Sequence, residues 1–480
     1  MEFIVAGGGG PVGGAEEGHD VGRRYVGVGL GSPEYRKKWV ETKVREWVSD
    51  VKRITALGRT HPHSAYSILT RVIIPTWRFT MRTTQTDPEC YLPLEDALLE
   101  HFFPDVLGLK PGRDSPLRRR CALPVRHSGL GIPRPQELAG EEREAAQELI
   151  APLVEAILGQ DAGYELDGRA IRAKRRLRQA GREVSYGRRC EEIVKGLSDK
   201  EARSVEEAKL GGASSWLSAT PIDDLGLHLD ALEFRDAVAL HLGLDPPDPL
   251  PGCCPSCGAV NSVSHALHCN KGGLVMSRHR AVLRAWAGLF RRAGAVGVVE
   301  EPVLPALHVS AEPSRGTTTA TEARADILVR QWGQAKRNLY LDVAVVDTFA
   351  DCYIRKQPLQ ALENHEKKKE EKYHDRVSPH GTFVPLVNSV LGTMAPKAAK
   401  MAAALTRASA ADPEDRLPVF ELHATIIQAA TLKAVSACLR ARATRDGKRL
   451  DLENDDMGLR SLETAVALRE DGLVAGPSLD

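Results

Sequence analysis

The stretch RADILVRQWGQAKRNLYLDVAVVD, residues 324–347, decides the fold around it. Two short runs rich in apolar and β-branched residues flank a Gly-containing turn, which predicts a pair of strands joined as a hairpin. Asp326 precedes the first run and Asp342 interrupts the second. Burying a carboxylate beside apolar strand residues is costly unless it binds something. The two aspartates are therefore either candidates for a shared metal site or surface residues at strand edges.

The sequence around this hairpin predicts a mixed α/β domain. An amphipathic helix is expected over SRHRAVLRAWAGLFRRAGA (277–295), followed by a strand over VGVVEEPVL (296–304) that carries Glu300 and Glu301. Carboxylates at strand ends suit Mg²⁺, which prefers oxygen ligands. Such an ion activates water and stabilises charge on a phosphate. Asp326 and Asp342 are the predicted magnesium ligands, and Glu301 is a weaker candidate.

Many metal-dependent nucleases carry an acidic-x-Lys triplet on the second strand, but residues 342–344 here read Asp-Val-Ala. A lysine can instead come from the segment ALENHEKKKEEKYHDRV (361–377), which predicts a helix. Lys369, Lys372 and Tyr373 share one face of that helix, because residues three and four apart are neighbours. Lys367 lies off that face, and Lys368 is a borderline case. The alternative is a charged helix that is only solvated.

A cysteine- and histidine-rich segment, CCPSCGAVNSVSHALHCNKGG (253–273), has the spacing of a zinc site. Two cysteines two residues apart, followed by a His and a Cys, fit tetrahedral zinc. The preferred ligands are Cys254, Cys257, His265 and Cys269. Cys253 and His268 are the possible replacements, and buried free cysteines are the remaining alternative. This motif indicates a structural metal.

Composition places few limits on the partner. Among 480 residues, Lys and Arg number 65 and Asp and Glu 64, so only local clusters can indicate an anionic ligand. One such cluster lies in GRAIRAKRRLRQAGRE (168–183). It is either a solvated helix face or a phosphate-contacting helix, and its basic residues are Arg169, Arg172, Lys174, Arg175, Arg176, Arg178 and Arg182.

The pattern along the chain predicts several regions. Apolar spacing indicates helices across much of residues 33–158, with a bend at Pro75. No uninterrupted run of 18 apolar residues and no signal-peptide pattern occur, so an intracellular protein without a membrane span is expected. The predicted boundaries are a disordered Gly-rich tail (1–20), a helical region (21–160), a basic helical linker (161–249), a zinc knuckle (250–275), an α/β domain (276–405) and a helical tail (406–480).

These motifs, taken in order, resemble the C-terminal end of non-LTR retrotransposon polyproteins that carry a restriction-enzyme-like endonuclease. The resemblance rests on the Cys-Cys-His-Cys knuckle, "RH" at the start of the next helix, "EP", "R-x-D-x-x-V", "DV-x-V" and "EKKKEEKY". Upstream, PTWRFTMRTT and LPVRHSGLGIPRP resemble the thumb-like segment behind a reverse-transcriptase palm. The likeness covers roughly residues 22–400.

The resemblance implies a multidomain α plus α/β protein: a helical N-terminal half, a small zinc knuckle, a mixed-sheet PD-(D/E)xK domain and a helical tail. It implies nicking of target DNA, with Asp326 and Asp342 as metal ligands and Lys369 or Lys372 as the catalytic lysine. Tyr373 and Arg324 would support the site. Ala325 stands where the family often has Pro.

DNA, the element's own RNA and a separate or upstream polymerase domain are the implied partners, in a nuclear setting. No Tyr-x-Asp-Asp palm motif occurs in the sequence, so no polymerase activity is expected of this chain alone. Two other interpretations stay open. One is an inactive remnant that binds nucleic acid through its zinc knuckle and basic helix, and the other is a purely structural zinc protein.

Overall fold

A computed structural model describes residues 21–161, 163–165, 167–304, 324–410 and 412–440. The predicted Gly-rich tail and residues 441–480 of the predicted helical tail lie outside this range. Within it, the chain is mostly helical and contains a four-stranded mixed sheet. At this coarse level the expected α plus α/β class is confirmed.

The first region starts with a hairpin and continues in helices. Its elements are β1 (Gly22–Tyr25), β2 (Val28–Gly31), α1 (Pro33–Gly58), α2 (Pro62–Ile68), α3 (Ile74–Thr83), α4 (Leu92–Ala97), α5 (Pro116–Ala122) and α6 (Pro135–Leu158). Ser32 caps α1 by accepting from the backbone N–H of Tyr35, and Pro33 fits the first turn, where its missing N–H costs nothing. The α1 side that carries Val40, Val44 and Val51 enters the core of this region.

A short π-helical segment lies just before Pro75, where the sequence predicts a bend. Residues Leu69–Ile73 form it between α2 and α3, and a second π-helical segment, Leu98–Leu107, follows α4 and contains Pro104. A proline inside a helix removes one backbone hydrogen bond and crowds the preceding turn. The wider π turn accommodates both effects without ending the helix.

The middle region divides into an exposed helix and a buried group. Its helices are α7 (Gly168–Val194), α8 (Asp199–Ala208), α9 (Ser215–Ser218), α10 (Ala231–His241), α11 (Val263–His268) and α12 (Leu274–Arg292). Of the helices within the predicted basic linker (161–249), only α7 is largely exposed to solvent, as a linker would be. In α8, Arg203 donates to the Thr348 carbonyl, and Glu207 accepts from the hydroxyls of Thr348 and Thr393. These buried contacts join the segment after Asp199 to the sheet domain.

The sheet has the order β3-β4-β5-β6, with β3 (Val298–Glu300), β4 (Ile327–Trp332), β5 (Arg337–Val346) and β6 (Gly381–Ser389). The first three strands pair antiparallel, as the predicted hairpin requires, and β6 pairs parallel with β5. The crossover between β5 and β6 is α13 (Pro358–Val377). A parallel pair needs such a crossover, because a tight turn cannot join strands that run the same way.

The alternation of side chains along β5 decides which helix each residue meets. Leu339, Leu341 and Val343 point to the face covered by α12 and by α14 (Pro396–Ser409) and α15 (Arg416–Arg440). Tyr340 points to the opposite face, where it packs with Tyr373 of α13. Asp342 shares the parity of Tyr340 and therefore faces α13.

The helix α15 is a core element, although its sequence lies in the predicted C-terminal tail. It packs against α12 and α14 and has only one strongly exposed large apolar residue, Leu417. Among the described residues it alone is long and apolar enough to cross a membrane, but 78% of the relevant 18-residue window is buried inside the protein. Such burial is ordinary for the core helix of a folded domain.

Candidate active site and zinc knuckle

Asp342 and Lys369 meet in an ion pair where β5 lies against α13. The Lys369 Nζ atom lies 2.6 Å from Asp342 Oδ2, and the side chains are 30% and 5% exposed. Burial raises the pKa of Asp342, while the Lys369 ammonium opposes the shift. The lysine absent from the strand triplet is thus present beside the carboxylate, supplied by the crossover helix.

Asp326 lies next to Asp342 on the neighbouring strand. The backbone N–H of Asp326 donates to the Leu341 carbonyl, and Asp326 Oδ2 accepts from the Val343 N–H at 2.5 Å. These bonds fix the orientation of the carboxylate. They also hold it close enough to Asp342 for its charge to raise the pKa of that group.

His279 is a residue of this site that the sequence did not predict. Its Nε2 atom lies 3.1 Å from Asp326 Oδ1, and the histidine stands in the first turns of α12. An opening of about 210 Å³ beside it is lined by Val275, Met276, Arg278, His279 and Val345. The "RH" pair at 278–279 was the available signal, but a lone histidine on an amphipathic helix did not indicate a contact 47 residues away.

Tyr373 and Lys372 take different positions although both follow Lys369 on α13. The Tyr373 ring is 8% exposed, and burial followed by the charge of Asp342 raises the pKa of its hydroxyl. Tyr373 therefore stays protonated beside the two carboxylates. Lys372 is exposed, and its Nζ atom lies 4.8 Å from the centre of the Tyr373 ring. Of the two predicted lysines, only Lys369 is paired with an aspartate.

The position of α13 is fixed by buried apolar residues near its two ends and by one hydrogen bond between them. Leu362 and Val377 are fully buried near its two ends. Between them, buried Glu366 accepts from the backbone N–H of Lys397 in the first turn of α14 at 2.8 Å. A carboxylate at a helix N-terminus is favourable because it meets unpaired N–H groups and the positive end of the helix dipole. This contact holds the turn of α13 that carries Lys369.

The other candidates do not join the cluster. Arg324 is exposed and pairs through its backbone with Val303. The Glu301 N–H donates to the Asp326 carbonyl, but its carboxylate lies 3.7 Å from Arg280 Nε. Lys367 is exposed and 4.0 Å from Glu371, as expected for a residue off the site face, and Lys368 is exposed too. Among the described residues, no side-chain contact of Arg324 with the site supports its predicted role.

The donor set is compatible with Mg²⁺. Asp342 Oδ2 is buried, and its close partner is the Lys369 ammonium, 2.6 Å away. A carboxylate oxygen has two lone pairs, so Oδ2 can take a second partner, and Mg²⁺ binds carboxylate oxygens. Asp326 supplies a second carboxylate beside it.

The zinc knuckle brings its four predicted ligands together. The ligand atoms of Cys254, Cys257, His265 and Cys269 all lie within 4.8 Å of one another. The Sγ atoms of Cys254 and Cys269 are 3.8 Å apart, and Cys257 Sγ is 3.2 Å from His265 Nε2. With Zn–S bonds of about 2.3 Å, a tetrahedron has sulfur atoms about 3.8 Å apart. The cluster can therefore hold zinc.

The two alternative ligands point elsewhere. Cys253 forms a backbone bridge with Val260 and is exposed, while His268 Nδ1 donates to the Ser264 carbonyl and His268 Nε2 lies 3.8 Å from Asp347. A hydrogen bond from the Ser256 backbone lowers the pKa of Cys254 to about 6. A lowered thiol pKa favours the thiolate, which is the form that binds metal.

The basic residues of α7 fall into two groups. Arg178 pairs with Glu148, and Arg182 lies 3.4 Å from Glu142 Oε1. The others are exposed and make no ion pair within the described part of the chain: Arg169, Arg172, Lys174, Arg175 and Arg176.

Comparison with known proteins gives no family. No protein-family model matches the chain, and no curated protein matches it significantly.

Proposed function

We propose that this chain is the C-terminal part of a non-LTR retrotransposon polyprotein and a Mg²⁺-dependent endonuclease that nicks target DNA for the priming of reverse transcription. The observation that supports this most is the ion pair of Lys369 with Asp342, beside Asp326. Two carboxylates and one ammonium between the sheet and α13 are the groups that phosphodiester hydrolysis by this class of nuclease requires. Polymerase activity would belong to a separate or upstream domain.

Each residue has a role that follows from its chemistry. Asp326 and Asp342 would hold the metal, which supplies a Lewis acid for the phosphate and lowers the pKa of bound water. Lys369 would offset negative charge on the phosphate and orient the attacking water. Tyr373, protonated and next to Asp342, would donate a hydrogen bond to an oxygen in the site. His279 would hold the orientation of Asp326.

A nicking assay on supercoiled plasmid tests this proposal. Purified protein should convert plasmid to the open circle with Mg²⁺ and not with EDTA. Asp342→Asn is the matched variant, because it keeps the size of the side chain and removes the charge. Nicking by Asp342→Asn at the wild-type rate would show that the activity comes from elsewhere.

A second candidate is a catalytically inactive remnant that binds nucleic acid through its zinc knuckle and basic helix. The exposed arginines of α7 and the Cys₃His cluster support it. Under this proposal the protein binds DNA or the element's RNA in the nucleus but does not nick plasmid under any metal condition. Salt-dependent binding without nicking would favour it, and absence of both would leave a structural zinc protein.

A further inference from the structure

Arginines from α3 and α7 surround one buried carboxylate, Glu142, on the side of the protein where α3, α6 and α7 meet. Glu142 is 1% exposed and lies 2.5 Å from Arg82 Nε, 3.4 Å from Arg182 Nη2 and 3.9 Å from Arg78 Nε. Arg143 on α6 donates to the Arg82 carbonyl, and Arg36 on α1 is near enough for its charge to lower the pKa of Arg143. We call the set Arg36, Arg78, Arg82, Arg143 and Arg182 the Glu142 arginine cluster.

The cluster holds more positive charge than its carboxylate neutralises. Arg143 donates only to the Arg82 carbonyl and to Gln85, and neither Arg36 nor Arg143 has an ion pair within the described residues. Burial lowers the pKa of Arg143, and the nearby charge of Arg36 lowers it further. Three of the five guanidinium groups lie within 4 Å of Glu142, and the five together with this one carboxylate have a net charge of +4.

Several donors of the cluster are also unused. The Nε atoms of Arg36, Arg78 and Arg143 are buried and have no hydrogen-bond partner. Leaving charged donors without partners and crowding like charges are both unfavourable. An anion bound among these groups would remove both costs, so the arrangement indicates a ligand with several negatively charged oxygens.

The surroundings indicate that this anion is part of a polymer. Arg172, Arg175, Arg178 and Arg182 follow one another at three- and four-residue spacing, so they form a row along one side of α7. The row is about 15 Å long at the rise of an α-helix, and Arg182 belongs to both the row and the cluster. About four phosphate steps of one DNA strand cover that length. Guanidinium groups match phosphate oxygens in geometry as well as charge.

We propose that the Glu142 arginine cluster binds the phosphodiester backbone of a nucleic acid, as the end of a basic track that begins on α7. Glu142 orients Arg82 and Arg182, and the half-buried Arg36 and Arg143 provide the charge that meets the phosphate. The proposal adds a second contact site for the nucleic acid of the proposed function, and it does not depend on hydrolysis.

The test compares two double variants that lose the same charge. Arg36→Gln/Arg143→Gln removes the two arginines that do not contact Glu142. The control Arg45→Gln/Arg53→Gln removes two exposed arginines of α1 outside the cluster, whose contacts are Thr42 and Asp50. Binding to a labelled random-sequence 30-base-pair DNA duplex is measured without added Mg²⁺ from 0.05 to 0.3 M NaCl, with parallel arms for an RNA–DNA hybrid and single-stranded RNA.

Loss of two phosphate contacts should reduce the slope of log K against log salt by about 1.8 on duplex DNA. At 0.1 M salt the affinity should fall by about 60-fold, if binding at 1 M is unchanged. The control should change the slope by less than about 0.5. An unchanged slope in the cluster variant on all three nucleic acids, or an equal change in the control, overturns the proposal.

Two further variants separate this result from misfolding and from the nuclease proposal. Arg36→Lys/Arg143→Lys keeps the charge, so it should keep most of the salt slope even if affinity falls. A flattened slope in this variant too would overturn the proposal in favour of a packing role. Asp342→Asn should keep the full slope and lose nicking, whereas the cluster variant should still nick plasmid at saturating protein.

Discussion

Replacing Lys369 by Met should abolish most nicking, while the same change two residues earlier should have little effect. Lys369 Nζ lies 2.6 Å from a carboxylate oxygen whose side chain is 5% exposed, so its charge acts where water screens it poorly. Lys367 is 77% exposed and lies 4.0 Å from Glu371. Lys367→Met is therefore a matched control on the same helix with the same loss of charge.

The expected loss follows from what a positioned charge contributes to a transition state. Removing one such group costs about 10²–10³ in rate, or about 2.7–4 kcal/mol. The exposed pair of Lys367 with Glu371 is worth at most about 0.5 kcal/mol of stability, so its loss should change nicking by less than about twofold. Lys372→Met should cost less than about tenfold, since that ammonium lies on the Tyr373 ring.

The assay is single-turnover nicking of supercoiled plasmid in Mg²⁺, with thermal melting of each variant and duplex binding without added Mg²⁺ as controls. Lys369→Met should bind DNA like the wild type but melt lower at pH 7.5, because the buried Asp342 carboxylate loses the ammonium 2.6 Å away. It should also need a higher pH, since loss of the opposing charge raises the pKa of Asp342 further. Equal losses in Lys367→Met and Lys369→Met, or a larger loss in Lys372→Met, would refute the assignment of Lys369.

Further predictions concern the metal sites and the basic helix. The full chain should contain about one zinc, and Cys257→Ala/Cys269→Ala should lose it; full zinc retention would refute the ligand set. Replacing Arg172, Arg175 and Arg176 by Ala should weaken binding to all DNAs alike and reduce the salt slope by about 2.7, whereas an unchanged slope indicates a solvated face. Burial raises the pKa of Asp342 in the folded protein above its value in the unfolded chain. The protonated carboxyl therefore stabilises the fold fully below the unfolded pKa, and this stabilisation is lost as pH rises through the folded pKa. Asp342→Asn should accordingly melt higher than wild type at pH 7.5 without metal, and the difference should vanish below about pH 4; a lower melting temperature at pH 7.5 would contradict this. His279→Ala should raise the Mg²⁺ concentration needed for nicking and weaken metal binding measured by calorimetry, while His279→Asn should restore part of both; unchanged metal binding would leave His279 without a positioning role.

The spacing of residues within single segments was enough to predict several structural features of this protein. The Cys₃His cluster was predictable because two cysteines on one tight turn and a His-x3-Cys on a short helix are each fixed by their own backbone. The helix after Ser32-Pro33 was predictable because its cap and its apolar stripe both lie within one segment. The hairpin around residues 327–346 followed from two apolar runs and one turn. The face shared by Lys369 and Lys372 was equally a property of helical periodicity.

What the tertiary structure decided were contacts between segments far apart in the sequence. Lys369 and Lys372 lie on the same face of α13 but are about 4.5 Å apart along the helix axis. Only the packing of α13 against the sheet brings Lys369 to Asp342. His279 meets Asp326 because α12 crosses the strand ends, and Glu142 contacts arginines from two other helices, α3 and α7. The burial of α15 has the same origin. Periodicity specifies which side of an element is apolar, whereas the partner of that side depends on how the helices and the sheet pack together.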